Sequence, residues 1–281
     1  MFKLPLPEKI IFILVAVLYT SAAAIGFFQL SSKGIKYKNL LLPIVSLAVT
    51  LEAVIMVFRA ASIKALPLTG LFESLIILTI VFGIVYLFLN IFIQQVWFSS
   101  VMVWMILVLF LIAGAFAQPV AEPLRIAATP WALLHGISMI LGGVSIILAS
   151  ASSFLYLLGR NKLKSKEIIK VIGKIPNFEK LENMALFGIK AGFVFITIGI
   201  IGGLGLVAMS GRDFASWLLD LKVISIVIAW ILLGAILIFN HLLKLKGNAK
   251  AFLTLAIFIF VVFAIVGVTL LGATQHNFSS N

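Results

Sequence analysis

Eight apolar runs, each long enough to cross a bilayer, dominate this chain and leave it few ways to fold. They cover residues 10–30, 40–58, 71–93, 101–116, 134–158, 186–209, 223–243 and 251–274. A hydrocarbon core takes about 20 apolar residues in helical form to span. It offers no water to backbone N–H and C=O groups, so a run that enters it must close its own hydrogen bonds as a helix. The expected fold is therefore all-α: a polytopic bundle of eight transmembrane helices. The connectors leave little room for a soluble domain, and no internal repeat or low-complexity stretch divides the chain. A single integral membrane domain over residues 1–281 is the expectation.

Composition agrees, with 63% hydrophobic residues and only 11% charged ones. The net charge of +12 does not point to nucleic acid, because the basic residues lie in short connectors between apolar runs. That placement is a topology signal and suits contact with anionic lipid headgroups. Without cysteine, the chain has no disulfides, thiolate-ligated iron or CxxC redox chemistry. The first run follows Lys3 and Lys9 without a clear cleavage pattern, so it reads as a retained helix.

Lys and Arg concentrate in cytoplasmic connectors. With an outer N-terminus, the inner connectors hold Lys33, Lys36 and Lys38, then the seven basic residues of 159–183, then Lys244, Lys246 and Lys250. The outer segments hold Lys3, Lys9, Arg59, Lys64, Arg125, Arg212 and Lys222. The bias places both termini on the extracytoplasmic side of the cell membrane. His135, at the start of the fifth run, and His276, after the eighth, then share the outer layer. His241, late in the seventh, lies near the inner face. A Cys-free membrane chain binds iron most readily through imidazole, and two histidines at one depth suit the axial positions of haem. Glu52 and Glu73 lie within spans, where a carboxylate needs a partner or a function. Pairing with Arg59 is the structural role expected of Glu73, and a protonated or hydrogen-bonded acid is the simplest reading of Glu52. The glycines at 142, 143, 202, 203 and 205 allow close helix packing or leave room for a flat ligand. Trp131 and Trp217 suit a membrane-interface belt or an aromatic shelf.

Several of these residues stand in a familiar order. Trp217, Asp220-Leu221-Lys222 and then Trp230 resemble the W-x-W-D-P-K-E…W segment of the cytochrome c assembly family of haem-handling membrane proteins, with Leu219, Leu221 and Val223 replacing the second Trp, the Pro and the Glu. Gly267-Val268-Thr269-Leu270-Leu271-Gly272 followed by His276-Asn277-Phe278 resembles its closing G-V-N-L-L-G…H-S-Y. His135, Leu155-Tyr156-Leu157-Leu158 and Lys162-Leu163-Lys164 resemble its L-H…L-Y-L-L…L-K stretch, and His241 resembles its membrane-embedded His. Leu181-Glu182-Asn183 and residues 68–75 fit as well. The resemblance covers most of residues 50–278. Glu52 stands where the family pattern has a His seven residues before Arg59, which argues against a second, inner bis-His haem.

The resemblance implies haem b bound near the outer face between His135 and His276, with the loop carrying Trp217 and Asp220 as its shelf. Arg59, Arg125, Arg212 and Lys222 are candidate partners for the propionates, and His241 is a candidate ligand of an inner site. The implied function is haem transport or presentation for cytochrome c maturation, with haem, membrane lipid, a second assembly protein and apocytochrome c as partners. The chain itself is expected to bind and orient, not to catalyse. Alternatives are a HemX-like haem-binding regulator of haem synthesis, a transmembrane electron carrier, and a transporter using Glu52 and His241 as a proton path.

Overall fold

The computed structural model describes residues 4–31, 38–64, 67, 70–93, 95–116, 129–165, 174–211, 213–243 and 245–268. The described residues are helical in eight long segments and one short one: α1 (Leu6–Ser31), α2 (Lys38–Ile63), α3 (Leu71–Phe92), α4 (Val96–Phe116), α5 (Pro130–Lys164), α6 (Phe178–Ser210), α7 (Phe214–Leu218), α8 (Leu221–Leu243) and α9 (Gly247–Val262). All except α7 are long and apolar enough to cross a membrane, α9 doing so together with the turn that follows it to Gly267. A π-helical turn, Phe263–Gly267, extends α9. The eight expected spans are thus present, and no strand occurs among the described residues.

Most helices outrun the apolar runs that announce them. α5 continues to Lys164, and α6 begins at Phe178. Apolar runs report the hydrocarbon-facing part of a helix, whereas its ends are set by capping and by charged residues tolerated at the interface. α6 stops at Gly211, whose φ of 66° is the left-handed conformation that closes a helix and that glycine adopts without a Cβ penalty.

The chain forms two compact units, one of residues 1–121 and 154–182 and the other of 122–153 and 183–281. In the first, α1 packs on α2 and α4, and α3 packs on α2 and α4. Each helix therefore neighbours its sequence neighbours, and α4 closes the ring against α1. Side-chain pairings fix the directions: Tyr19 meets Glu52, and Phe12 stacks on Phe110 at 4.4 Å. This is an up-down-up-down four-helix bundle.

Its interior carries polar layers. Arg59 on α2 bonds Glu73 on α3 through Nη2 at 2.7 Å and Nε at 3.1 Å. It also lies 3.7 Å from Glu8 on α1, so Glu73 has the partner its position demands. One heptad back along α2, Glu52 meets Tyr19 and Thr79. One heptad on from Tyr19 and Thr79, Gly26 and Tyr86 mark a third layer. There Ser100 donates to the Gly26 carbonyl, and Ser99 donates to Asn90. Apolar rings, Phe12 and Phe110, fill the space between the first two layers, and Phe72 packs against Phe12.

In the second unit, α5 and α6 run antiparallel in close contact. A Cβ added at Gly202 would come within 2.8 Å of the His135 backbone nitrogen. One at Gly199 would meet Met139, one at Gly192 would meet Ile146, and one at Gly188 would approach the Ser145 carbonyl at 2.6 Å. Small residues are the usual means by which membrane helices bring backbones together, since lipid supplies no hydrophobic drive to pack them. Ile146, Ile189, Ile196, Ala229, Leu233 and Ile257 form the core that joins this pair to α8 and α9.

Candidate functional site

The glycine face of α6 ends in a cluster of chemically distinctive residues, all within the second unit. His135 sits in the second turn of α5, and its Nδ1 is 2.7 Å from the Gly199 carbonyl. A carbonyl can only accept, so Nδ1 carries the hydrogen and the lone pair falls on Nε2. That bond fixes the tautomer and the ring plane, as in metal-ligating histidines, whose second nitrogen is held by a carbonyl or carboxylate. One turn along α6, a Cβ at Gly203 would lie 3.2 Å from His135 Nδ1 and 3.6 Å from Trp217 Cζ2. Gly203 therefore lies against both the imidazole and the Trp217 indole, and its missing Cβ lets both rings approach α6. At Gly205 an added Cβ would strike the Trp131 ring, so a second indole lies flat on the same helix.

Two aspartates hold Trp217 in place. Asp213 Oδ2 accepts from the Ser216 backbone at 2.9 Å and caps the short helix α7. Asp220 Oδ1 accepts from the Lys222 backbone at 2.8 Å, and its carbonyl accepts from Ile224, which starts α8. Carboxylates at helix N-caps satisfy exposed backbone donors and complement the helix dipole. Trp217 is thus clamped between two capped helix starts, and its buried Nε1–H has no hydrogen-bond acceptor among the described residues. The Lys222 ammonium is close enough to act electrostatically on His135, and Asp220 in turn acts on Lys222. Farther along α8, Trp230 stacks on Phe193 at 5.5 Å and donates to Thr197 Oγ1 at 2.7 Å.

The sequence-predicted residues fall into three sets. His135, Trp217, Asp220 and Lys222 come together at one end of the second unit. His241 lies exposed at the opposite end of α8, about 30 Å from Leu221 at about 1.5 Å per residue, too far to share one macrocycle with His135. Arg59 belongs to the first unit, engaged by Glu8 and Glu73. His276, Arg125 and Arg212 lie outside the described residues. Sequence reading passed over helix α7 and the Gly199 carbonyl as the holder of the His135 ring. Gly211 followed by Asp213 was the available signal for α7, a helix stop and then an N-cap; no residue type announces a backbone carbonyl.

Three observations bear on whether this cluster fits the haem that the resemblance implies. His135 has the tautomer and restraint of an iron ligand. Gly203 and Gly205 bring two indoles, Trp217 and Trp131, against the same helix, which supplies aromatic surface for a flat ligand. The Trp217 donor, unmatched among the described residues, and the Lys222 charge are polar groups of the kind an anionic rim would pair with. Among the described residues no group of three or more His, Asp or Glu side chains could hold a bare metal ion.

Residues 68–276 match the family described as Cytochrome C assembly protein. The chain belongs to that family. The matched region includes His135, Trp217, Asp220, His241 and His276. Similar relatives are the proteins named Cytochrome c biogenesis protein CcsA of two Prochlorococcus marinus strains, NATL1A and NATL2A. Each is 31% identical over 128 residues, which is 45% of this chain and 39% of the relative. The protein of the same name from Guillardia theta is 26% identical over 231 residues, 75% of this chain and 76% of that relative. The chain thus matches well under half the length of the Prochlorococcus proteins. No solved structure matches it.

Proposed function

We propose that this protein binds haem b in its second unit, at the extracytoplasmic face of the cell membrane, and presents it for cytochrome c maturation. The observation that carries the reading is the convergence of His135 and Trp217 on Gly203 of α6, with the Lys222 charge acting on His135, in a chain of the cytochrome c assembly family. In this reading His135 and His276 would hold the haem iron, Trp217 and Trp131 would lie against the macrocycle, and Lys222 would pair with a propionate. His241 serves a separate inner site. The haem supplies the vinyl groups that become joined to an apocytochrome. The chain's own residues bind, orient and exclude water, with apocytochrome c and a second assembly protein as partners.

The test is the visible spectrum of the detergent-purified protein. Two imidazole ligands give low-spin, six-coordinate haem with sharp reduced bands. Replacing His135 or His276 with Ala is expected to yield high-spin or weakly retained haem, and Lys222→Glu to lower haem content without changing spin state. A wild-type protein purified from haem-sufficient cells without a haem spectrum, or both His variants with wild-type spectra, would sink the assignment.

A further inference from the structure

The first unit holds a carboxyl group with unusual company. Glu52 is fully buried, 0% exposed, and the groups that bond it are two hydroxyls, not a cation. Tyr19 Oη lies 2.8 Å from Oε2, and Thr79 Oγ1 lies 2.7 Å from Oε1. Arg59 is a heptad away on the same helix, about 10 Å of rise, and is engaged by Glu8 and Glu73. Among the described residues, the other elements packed around Glu52 offer no nearer charge. α1 carries Glu8 and Lys9 near its start besides Tyr19; α3 carries Glu73 and Tyr86; α4 has no titratable side chain.

Counting hydrogens decides the state of this acid. Thr79 Oγ1 makes two short contacts with oxygens, 2.7 Å to Glu52 Oε1 and 2.7 Å to the Ile76 carbonyl. A hydroxyl has one hydrogen and a carbonyl has none. With an ionised Glu52, one of the two contacts would press lone pair against lone pair. A single hydrogen shared between two acceptors is seen at Ser100, whose contacts are longer, 2.9 and 3.0 Å. Thr197 shows the arrangement with both contacts satisfied. It donates to the Phe193 carbonyl at 2.7 Å and accepts from the Trp230 N–H at 2.7 Å. Thr79 matches Thr197 if its second partner also brings a hydrogen, and that partner is Glu52.

We propose that Glu52 is a proton-binding site in the membrane interior. The bound proton sits on Oε1 and is donated to Thr79, Thr79 donates to the Ile76 carbonyl, and Tyr19 donates to Oε2. Every hydrogen and acceptor in the chain is then matched, and no charge is buried. The ligand is one proton, taken up by a carboxylate and released as such. Release leaves an uncompensated carboxylate among apolar rings, so it requires water or a cation to reach the bundle interior. The stacked Phe12 and Phe110 lie between this site and the Glu8–Arg59–Glu73 layer, which separates the proton from the neighbouring charges. This site is independent of the haem reading of the second unit.

Infrared spectroscopy of the purified full-length protein at neutral pH tests it. The carbonyl stretch of a protonated carboxylic acid is expected, shifting down in heavy water. It should vanish in Glu52→Gln, whose amide keeps both contacts by accepting from Tyr19 and donating to Thr79. In Tyr19→Phe the band should persist at higher frequency, because the carbonyl oxygen loses its donor. A spectrum without such a band, or one whose band survives unchanged in Glu52→Gln, overturns the proposal. If Glu52→Gln does not accumulate, a band unmoved in both Tyr19→Phe and Thr79→Val overturns it equally.

Discussion

Arg59 shows how one residue can be legible in kind and illegible in role. A basic residue near a span end suits anionic ligands, headgroups and neighbouring acids alike, and its sequence position does not choose among them. The choice comes from the α1, α2 and α3 register, which puts Glu8 and Glu73 against the guanidinium. Buried ion pairs are costly to break because the survivors stay buried without compensation. Arg59→Leu strands two carboxyls and is expected to destabilise the first unit by about 3–5 kcal/mol. Recovery from the membrane and the thermal unfolding midpoint would register the loss. Arg59→Leu combined with Glu8→Gln and Glu73→Gln should regain much of it, and no recovery in that triple variant would show that the guanidinium does more than neutralise. His135 differs: its type and its place at a helix start were visible in the sequence, and so was the aromatic character of Trp217. Their meeting at Gly203 was not, because it depends on the pairing of residues far apart in the chain.

At the level of elements, the apolar runs identified each spanning helix, since eight continuous runs admit no other secondary structure. What they could not give was which helices touch. The α5–α6 contact rests on glycines whose small size also suits a ligand space, and the structure divides the two uses along one helix. Gly188, Gly192 and Gly202 face backbone or core side chains of α5, whereas Gly203 faces the His135 and Trp217 rings. The distinction predicts different penalties. An added methyl at Gly202 meets main-chain atoms at 2.8 and 3.0 Å, which cannot rotate away. Gly202→Ala is therefore expected to cost about 1–3 kcal/mol by overpacking, visible as a lowered unfolding midpoint. Gly203→Ala meets ring atoms at 3.2 and 3.4 Å and should cost less. Equal midpoints for the two variants would contradict the register deduced for this helix pair. The short helix α7 was missed for the opposite reason: it is too brief for periodicity to register, and only its Asp213 cap and the preceding Gly211 stop announce it.

For the whole molecule, direction across the membrane is written in charge, not in shape. The fold by itself has no outside. The excess of Lys and Arg at 159–183 and 244–250 over the segments around 59–64, 125 and 210–222 supplies the direction. On that bias the proposed orientation has the α6–α8 connector, with Trp217, outside and the α5–α6 connector inside. Because the native chain has no cysteine, single cysteines report position without background. Ser165, just past α5, and Ala215, exposed on α7, lie beyond opposite ends of α6. An impermeant thiol reagent should label Ala215→Cys in intact cells and Ser165→Cys only after permeabilisation. The reverse pattern would turn the protein over and put the His135 cluster on the cytoplasmic side, where haem presentation to an exported apocytochrome would be impossible. Labelling of both from one side would mean that α6 does not span, and the antiparallel α5–α6 pair that assembles the cluster would then have to lie on one side of the membrane.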